Sequence, residues 1–294
     1  MKGIATMKAL TAGILRKTLG SLTYRKRLPS EFGSGRLLVS PRADMRVLYP
    51  GFERAAFDLM LVSRLYVKQG ACVWDIGSNL GLFSACAAYK AGPRGKVFSL
   101  EADPRYAALQ MRSAATLPTA YAPIEVLCGA AADTSSLLRF AVSRQGHARS
   151  HLAEVEGQQC DETESVQQVL SVTLDFLLQH WPKPDIIKID VEGAEALVLQ
   201  GADRMLREVA PILYIEVSDQ NREAVTRRFR DHGYELFKLE ADGSETPVDL
   251  CGLYCIARPA QRSVAKAERQ RPLARADRPA APATRLRCTE TKGA

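Results

Sequence analysis

The pattern of hydrophobic and polar positions divides most of the 294-residue chain into short apolar runs separated by amphipathic segments. Short apolar runs are typical of strands that are buried on both faces, and apolar residues three or four positions apart are typical of helices. The alternation predicts an α/β fold with a doubly wound, mostly parallel sheet and right-handed crossovers. Strands are predicted at 71–77, 96–102, 124–130, 185–190 and 212–217, and helices at 82–91, 103–117, about 193–209 and 219–232.

The last two strand-like runs, at 234–240 and 252–258, have no helix between them. They predict an antiparallel C-terminal hairpin that closes the sheet edge. Between LLRFAVS (137–143) and Val166 the strand–helix rhythm is interrupted, which predicts a hairpin or flap over the functional site.

The N-terminal region has a different pattern. RLLVS (36–40) and MRVLY (45–49) flank the turn-forming PRAD and predict a hairpin. The amphipathic stretch 53–68 predicts one helix that ends before Gly70.

Charge is distributed unevenly along the chain. The net charge is +7, but residues 258–294 carry ten Lys/Arg and three Asp/Glu, and residues 1–30 carry seven Lys/Arg and no acid. Residues 31–257 therefore hold 23 bases and 30 acids and are acidic. A protein that binds nucleic acid should carry its positive charge near its site, so no nucleic-acid partner is expected.

Composition indicates an ordinary globular protein, with 46% hydrophobic and 25% charged residues. No apolar run approaches the roughly 20 residues of a membrane span, and the short run 9–15 lacks the features of a secretory signal. The seven cysteines include no CxxC, and Cys251 and Cys255 are expected on one core face. These features predict reduced thiols and a cytoplasmic location.

The stretch VWDIGSNLGLFS (73–84) runs from a predicted strand through a glycine turn into a helix. A dinucleotide fingerprint is GxGxxG, whereas DxGxNxG places Asp75 at the mouth of the turn. A carboxylate there repels a pyrophosphate and suits an ammonium or sulfonium group. Gly77 allows the backbone to approach a ligand, and Asn79 offers both a donor and an acceptor.

Glu101 ends the second predicted strand, 24 residues after Gly77. An acid at this spacing can bind the two ribose hydroxyls of a nucleoside. S-adenosyl-L-methionine joins a nucleoside to ammonium and sulfonium groups, so the turn and Glu101 together predict it as the cofactor.

Three stretches, in order, resemble the FkbM-type family of S-adenosylmethionine-dependent methyltransferases. They are VWDIGSNLGLFS, FSLEADP (98–104), and IIKIDVEGAEALVLQGA (186–202) with ILYIEV (212–217). The resemblance spans about residues 70–257, and KIDVEGAE is its most distinctive part. It implies a class I methyltransferase (Rossmann-like) fold, with a seven-stranded sheet whose last strand is antiparallel. It also implies O-methylation of a hydroxyl, commonly on a sugar or a polyketide-like metabolite.

The same resemblance assigns residues to the cofactor. The adenine would lie near residues 128–131, where many class I enzymes have an acid. This chain has CGAAAD there, so backbone groups or Asp133 must make that contact. The cofactor-binding residues implied are Asp75, Gly77, Asn79, Gly81, Glu101, Ala130 and Ala131.

Methyl transfer to a hydroxyl requires in-line alignment and removal of the hydroxyl proton. In an extended run, Lys188, Asp190 and Glu192 project to one side and form a candidate catalytic cluster at the end of the fourth strand. Asp190 or Glu192 would accept the proton or orient the hydroxyl, and Lys188 would set the local charge. Glu216 lies in an apolar strand and needs a partner, for which Lys188 is the candidate. The alternative is that Lys188 and Glu216 form a structural ion pair and that Glu192 lies at a helix N-terminus, where acids are favoured.

Two further features remain open at this level. His147 and His151, in the interruption, could supply a general base or be surface residues. Asp190 and Glu192 could hold a divalent ion, but they lack further acidic ligands, and no metal is predicted.

Three rival functions are less favoured. An N-methyltransferase of protein or nucleic acid often has an Asn/Asp-Pro-Pro-aromatic turn, which the chain lacks. A nicotinamide oxidoreductase would need GxGxxG. A non-catalytic cofactor-binding or scaffold protein of the same fold is opposed by the intact motifs. We therefore expect an O-methyltransferase that acts on a hydroxyl of a saccharide or secondary metabolite, that is, a small-molecule or glycan acceptor.

Four regions are predicted. They are a basic N-terminal arm (1–30), a hairpin and helix packed on the core (31–69), the methyltransferase domain (70–257) and a disordered basic tail rich in Ala, Arg and Pro (258–294). The acceptor's identity and the oligomeric state do not follow from the sequence.

Overall fold

A computed structural model describes residues 22–41, 57–143, 151–152 and 163–260, and the structural statements below concern these residues. The strands are β1 Tyr24–Arg27, β2 Arg36–Val39, β3 Cys72–Ile76, β4 Lys96–Glu101, β5 Ile124–Cys128, β6 Ala130–Ala131, β7 Leu137–Ser143, β8 His151–Leu152, β9 Thr163–Val172, β10 Ile186–Ile189, β11 Ile212–Glu216, β12 Tyr234–Leu239, β13 Glu245–Pro247 and β14 Tyr254–Pro259. The α-helices are α1 Phe57–Tyr66, α2 Leu82–Ala91, α3 Pro104–Ala114, α4 Leu174–Leu177, α5 Glu195–Gln200 and α6 Arg222–Asp231. Short 3₁₀ turns lie at Ser30–Phe32 and Asp219–Asn221, and a π-helical turn lies at Met205–Val209.

Eight strands form the central sheet, in the order β13-β12-β14-β11-β10-β3-β4-β5. Strands β11, β10, β3, β4 and β5 are parallel, whereas β14 is antiparallel to both β11 and β12. The strand order reverses between β3 and β10, which is where open α/β sheets bind ligands. The predicted α/β class, a doubly wound and mostly parallel sheet of the class I methyltransferase type, is confirmed.

The C-terminal strands pair as predicted, but they do not form the edge of the sheet as a simple hairpin. β14 lies between β11 and β12, and β13, which the sequence analysis did not predict, forms the edge beyond β12. The residues Cys255, Ile256 and Ala257 of β14 are buried on both faces, which suits an interior strand. β13 is short and contains Pro247, and a proline is tolerated only at an edge.

Strand residues alternate between two hydrophobic layers, one on each face of the sheet. Val73 of β3 packs in the layer that includes α1, α2 and α3, and Trp74 packs in the layer that includes α4, α5 and α6. Both side chains are fully buried. The central strands are therefore apolar on both faces, as continuous apolar runs predict.

Local sequence signals fix where several helices begin. Asp103 caps α3 by accepting a hydrogen bond from the N–H of Arg105 at 2.9 Å, and Pro104 occupies the first helical position. Thr173 caps α4 in the same way through the N–H of Phe176. The predicted helix at 193–209 is divided instead, because Asp175 accepts hydrogen bonds from the N–H groups of Arg204 and Met205 and starts a separate π-helical turn.

β2 forms a hairpin with β1, which lies inside the predicted basic arm and was not predicted as a strand. The predicted partner, MRVLY at 45–49, lies outside the described residues, as do the first part of the arm and the chain after residue 260. No helix in the described part of the chain is long and apolar enough to cross a membrane.

A second sheet of order β6-β9-β7-β8 occupies the predicted interruption. β9 is its longest strand and was not predicted, because most of its side chains are exposed and polar. Phe140, Leu152 and Val169 of this sheet pack with Ala130 and Ala194. The second sheet therefore covers the edge where the parallel strands of the central sheet end.

The turn after β3 is held against the end of β10. Gly77 has φ +74°, and a Cβ atom at this position would lie 1.8 Å from the carbonyl oxygen of Asp190. The N–H of Asp190 donates to the carbonyl of Ile76 at 3.0 Å, and the N–H of Gly77 donates to that of Leu100 at 2.9 Å. Glycine at position 77 thus lets three strand ends meet.

We expect Gly77→Ala to lower the free energy of unfolding by at least about 3 kcal/mol, because overpacking adds to the cost of a left-handed alanine. Gly70→Ala is the matched control, since Gly70 has φ +81° but no atom within 4 Å of its would-be Cβ. The control should lose only the backbone contribution, about 1–2 kcal/mol. Urea unfolding measures both, and equal losses would show that the close approach to Asp190 has no energetic weight.

Candidate active site

A cleft opens at the carboxyl edge of the sheet, beside the point where strand order reverses. The second sheet adds Phe140 and Leu152 to its wall, in the position predicted for a flap. Six of the residues predicted from the sequence line it: Gly77, Glu101, Ala130, Ala131, Asp190 and Glu192.

A buried polar row crosses the sheet beneath the cleft. Asp75 of β3 lies directly between Ser99 of β4 and Lys188 of β10 in the strand register. The Lys188 ammonium lies 3.3 Å from Asp75 Oδ1 and 3.3 Å from Asp190 Oδ2, and it donates to the carbonyl of Gly77 at 2.6 Å. Lys188 is 2% exposed and Asp75 is 0% exposed, so the two charges neutralise each other inside the protein.

Neighbouring negative charges keep Lys188 protonated. Burial lowers the pKa of Lys188, but the negative charges of Asp75 and Asp190 outweigh the burial and raise the net pKa above the ordinary lysine value. Lys188 therefore stays charged at neutral pH and holds Asp190 at the cleft.

Asp75 lies in a different environment from the one the sequence suggests. It accepts a hydrogen bond from Ser84 of α2, whose hydroxyl also lies 2.8 Å from that of Ser99. Gln110 of α3 joins this network, donating to Ser84 at 2.9 Å and accepting from Ser78 at 2.7 Å. The carboxylate of Asp75 thus ties two helices to the sheet and does not line the cleft.

The glycine turn holds Glu101 at the cleft. Asn79 has φ +53°, and its N–H donates to Glu101 Oε2 at 2.6 Å, while the N–H of Asp103 donates to Oε1 at 2.8 Å. Gly81 has φ +80°, and a Cβ there would collide with Gln110, so the turn needs glycine to enter α2. Neither Asn79 nor Gly81 lines the cleft, but both shape the turn that positions Glu101.

The side-chain oxygen of Asn79 is buried outside the cleft lining, and no described residue hydrogen-bonds it. Ala130 and Ala131 form the opposite wall. Cys128 and Asp133, the other candidates near the adenine, are exposed and lie outside the cleft lining.

The acidic residues after β10 meet in a turn and not in a strand. β10 ends at Ile189, and Glu192 has φ +49°, so the predicted one-sided extended run does not exist. The turn nevertheless brings Glu192 and Asp190 to the same cleft. The prediction of a cluster thus holds, and the reason given for it was wrong.

The cluster retains protons to unusually high pH. Burial, followed by the nearby charges of Asp190, Glu216 and Glu195, raises the pKa of Glu192 to about 9. Burial and then Asp190 raise the pKa of Glu216 to about 7. Because the carboxylates interact, these values describe the cluster as a whole. At neutral pH Glu192 carries a proton and can donate a hydrogen bond.

The predicted pairing of Lys188 with Glu216 was wrong. Lys188 lies opposite Tyr214 of β11, but its ammonium points toward β3. There it contacts Asp75 of β3 and Asp190, which follows β10. Glu216 lies two residues further along β11, beside Asp190. β10 lies between β3 and β11, so strand adjacency alone could not show which of the two supplies the partner of Lys188.

Glu195 was not predicted, and it holds the catalytic turn together. It is 1% exposed, and its carboxylate accepts hydrogen bonds from the N–H of Gly193 at 2.6 Å, from the hydroxyl of Ser218 at 2.9 Å and from the amide of Asn221 at 2.8 Å. It lies in the first turn of α5, where an acid also favours the helix dipole. The sequence signal that could have identified it is its place as the last acid of KIDVEGAE (188–195).

The histidine and metal alternatives gain nothing from the structure. His147 lies outside the described residues, and the side chain of His151 is likewise not described. Among the described residues, no group of three or more His, Cys, Asp or Glu side chains is arranged to hold a metal ion.

We expect Lys188→Met to lower the free energy of unfolding by about 3–5 kcal/mol near neutral pH, because it leaves Asp75 buried without a cation. The matched control is Arg204→Met, which removes an exposed ion pair with Glu208 and should cost about 0–1 kcal/mol. Urea unfolding compares them. An equal, small loss in both variants would contradict the central role of Lys188.

We expect Glu192→Gln to make the protein less sensitive to alkali. The folded protein holds a proton on Glu192 that the unfolded chain releases near the ordinary value of 4.5, so the wild type loses stability as the pH rises from 4.5 toward 9. The variant lacks this loss, which amounts to about 1.4 kcal/mol per pH unit and about 3 kcal/mol between about pH 5.5 and about pH 8. Urea unfolding at both pH values measures it, and parallel pH profiles for the two proteins would refute it.

The chain is similar to several solved structures. The chain is similar to the FkbM methyltransferase from Methylobacillus flagellatus at 16% identity, with a TM-score of 0.44, covering 87% of this chain and 60% of that one. It is also similar to a precorrin-6y C5,15-methyltransferase from Geobacter metallireducens (16% identity, TM-score 0.40, covering 69% of this chain and 87% of that one). A third similar structure is a SAM-dependent O-methyltransferase from Thermotoga maritima (15% identity, TM-score 0.38, covering 69% and 64%). No curated protein matches the chain.

The family match is more direct than these structural likenesses. The family model described as the methyltransferase FkbM domain matches residues 75–236, which run from β3 into β12 and make up more than half of the chain. The chain therefore belongs to the FkbM methyltransferase family.

Proposed function

We propose that this protein transfers a methyl group from S-adenosyl-L-methionine to a hydroxyl oxygen of a small-molecule or glycan acceptor. The observation that carries the proposal is that one cleft brings a glycine turn and Glu101 together with the acids Asp190 and Glu192. We assign the activity to residues 70–257 as one domain.

The residues of the cleft fit a nucleoside that carries positive charge. Glu101 offers a carboxylate to ribose hydroxyls, and its orientation is fixed by two backbone N–H groups. No lysine or arginine is among the described residues that line the cleft, so a pyrophosphate would find no cation there. Ala130 and Ala131 leave room for a flat base.

The cofactor, when bound, supplies an electrophilic methyl group on a cationic sulfur. The protein's tasks are then to align the acceptor oxygen and to take its proton. Asp190 accepts the hydrogen bond of the acceptor hydroxyl, because Lys188, 3.3 Å away, holds its carboxyl group at the cleft. Protonated Glu192 donates a second hydrogen bond and keeps the acceptor oxygen in line.

The released proton stays within the acidic cluster. Glu216 lies beside Asp190, and its pKa of about 7 suits a group that takes up a proton near neutral pH. Asp190 is thus the proposed catalytic residue, and Lys188 and Glu216 act through it as positioning and proton-accepting groups.

The acidic cluster also bears on the acceptor class. Nucleic acids carry a phosphate charge on every nucleotide, and Asp190, Glu195 and the unprotonated fraction of Glu216 oppose such a partner. A hydroxyl on a small, uncharged molecule meets no such repulsion. This favours a saccharide or secondary metabolite over DNA or RNA.

Calorimetric titration with S-adenosylhomocysteine tests the cofactor, with NADH as the negative control. Removing a hydrogen bond to a charged group typically costs about 1.5–3 kcal/mol, so we expect Glu101→Ala to weaken binding by about tenfold to a hundredfold. Glu125→Ala, an exposed glutamate on the neighbouring strand, should leave the affinity unchanged.

Comparing the affinities for adenosine and 2′-deoxyadenosine shows whether Glu101→Ala removes a contact with the ribose or disrupts the whole glycine turn. If Glu101 binds the ribose, the wild type distinguishes the two nucleosides and Glu101→Ala does not. A variant that still distinguishes them would place the ribose elsewhere. Absence of S-adenosylhomocysteine binding by the wild type would refute the proposed function.

A further inference from the structure

A second pocket, of about 780 Å³, lies on the other side of the acidic cluster from the cleft. It is formed where β11, β14 and β12 reach the carboxyl edge of the sheet, next to the first turn of α1. Its walls are largely apolar and aromatic, with Leu239, Leu250 and Leu253 among them. Concave, apolar pockets with few polar groups are typical of small-molecule sites.

Strand register ties this pocket to the reacting end of the cleft. Tyr214, in its wall, lies directly opposite Lys188, which holds Asp190. Tyr254, also in its wall, lies directly opposite Glu216. Burial and then the charge of Glu216 raise the pKa of Tyr254 to about 12, as expected for close neighbours. The acidic cluster therefore separates two adjoining sites.

Two stacked tyrosines give the pocket a flat, rigid surface. The rings of Tyr214 and Tyr254 are 6.0 Å apart and 8° from parallel. Tyr214 is buried behind Tyr254, which is 38% exposed. Such a surface suits a ring whose faces carry C–H groups and whose rim carries hydroxyls.

One buried polar group lacks a partner. The hydroxyl of Tyr214 is buried, Tyr214 is 2% exposed, and no described residue hydrogen-bonds this hydroxyl. A buried polar group without a partner is unfavourable, and a ligand that supplies the missing hydrogen bond gains that energy. A hydroxyl on the ligand's rim is a suitable partner.

The charges around the pocket select against anions. Asp58 lies in its wall, and Glu216 lies next to Tyr254. The lysine in the wall, Lys238, is already paired with Glu240 at 3.0 Å. A ligand with a carboxylate or phosphate would meet negative charge, and the described residues of the wall offer it no free cation.

We infer that this pocket holds the body of the acceptor, and that the acceptor is a polyhydroxylated ring compound without negative charge. The inference rests on the proposed function and makes it more specific. The ring packs on Tyr254, one rim hydroxyl pairs with Tyr214, and another reaches Asp190 across the cluster.

Saturation-transfer NMR on the full chain tests this inference with three probes of the same ring size. They are methyl β-glucopyranoside (neutral), glucosamine (cationic) and glucuronate (anionic), each measured with and without S-adenosylhomocysteine. We expect signals from the first two probes and none from glucuronate. Equal binding of glucuronate would overturn the charge argument.

Two buried tyrosines provide a matched pair of variants. Tyr214 and Tyr234 both have buried hydroxyls without a partner, but only Tyr214 lines the pocket. Both Tyr→Phe changes should leave thermal stability equal or slightly higher, because each removes an unsatisfied group. Only Tyr214→Phe should weaken binding of the glucoside, by about threefold to tenfold. Equal affinities in both variants would overturn the role of Tyr214.

Further variants test the ring surface and the charge. Tyr254→Ala should weaken binding of the glucoside by about tenfold. Phe176 is a similarly exposed aromatic residue on α4, and Phe176→Ala should leave the binding unchanged. Asp58→Asn removes a negative charge from the pocket wall and should make binding of glucuronate detectable. If S-adenosylhomocysteine binds but no probe does, the pocket assignment fails while the proposed function stands. If the probes bind as expected but S-adenosylhomocysteine does not, the proposed function fails and the pocket remains a sugar site.

Discussion

The buried ammonium of Lys188 is the interaction on which the rest of the site depends. It lies at the centre of the parallel sheet and contacts Asp75, Asp190 and the carbonyl of Gly77. An ammonium in this position would be very unfavourable without compensation, and so would the fully buried Asp75 without the ammonium. Structure and chemistry therefore share one group: the lysine that joins two central strands also holds the Asp190 carboxyl group at the mouth of the cleft.

Strained backbone around this lysine gives the functional groups their positions. Gly77 allows β3 and β10 to approach within contact distance, and Asn79 and Glu192 adopt left-handed conformations in the two turns that border the cleft. Left-handed residues other than glycine persist only where surrounding contacts fix them. Glu101 fixes the first turn through the N–H of Asn79, and Glu195 fixes the second through the N–H of Gly193. The two turns can therefore hold separate parts of a ligand without rearranging.

The acidic cluster lies between two cavities of different chemistry. The cleft on one side offers carboxylates and small residues, and the pocket on the other side offers stacked tyrosines and leucines. Carboxylates with raised pKa values at the junction can exchange protons near neutral pH, which neither cavity could do alone. This arrangement is consistent with a reaction between two bound molecules, with proton transfer confined to the boundary between them. It also explains why so many acids are tolerated together, since at neutral pH part of the cluster is protonated.

Local patterns were enough to predict the fold class, the order of the central elements and the glycine turn that borders the cleft, because buried parallel strands and glycine turns depend on short stretches of the sequence. They also pointed to KIDVEGAE, although the supposed extended run to Glu192 proved to be a turn. The tertiary structure was needed for everything that long-range contacts control: Lys188 pairs with Asp75 and not with Glu216, β14 lies inside the sheet, and Glu195 holds the turn after β10. The pocket at Tyr214 and Tyr254 is another feature that only the tertiary structure reveals. Its walls come from segments far apart in the chain, and no local pattern records which of them meet when the sheet closes.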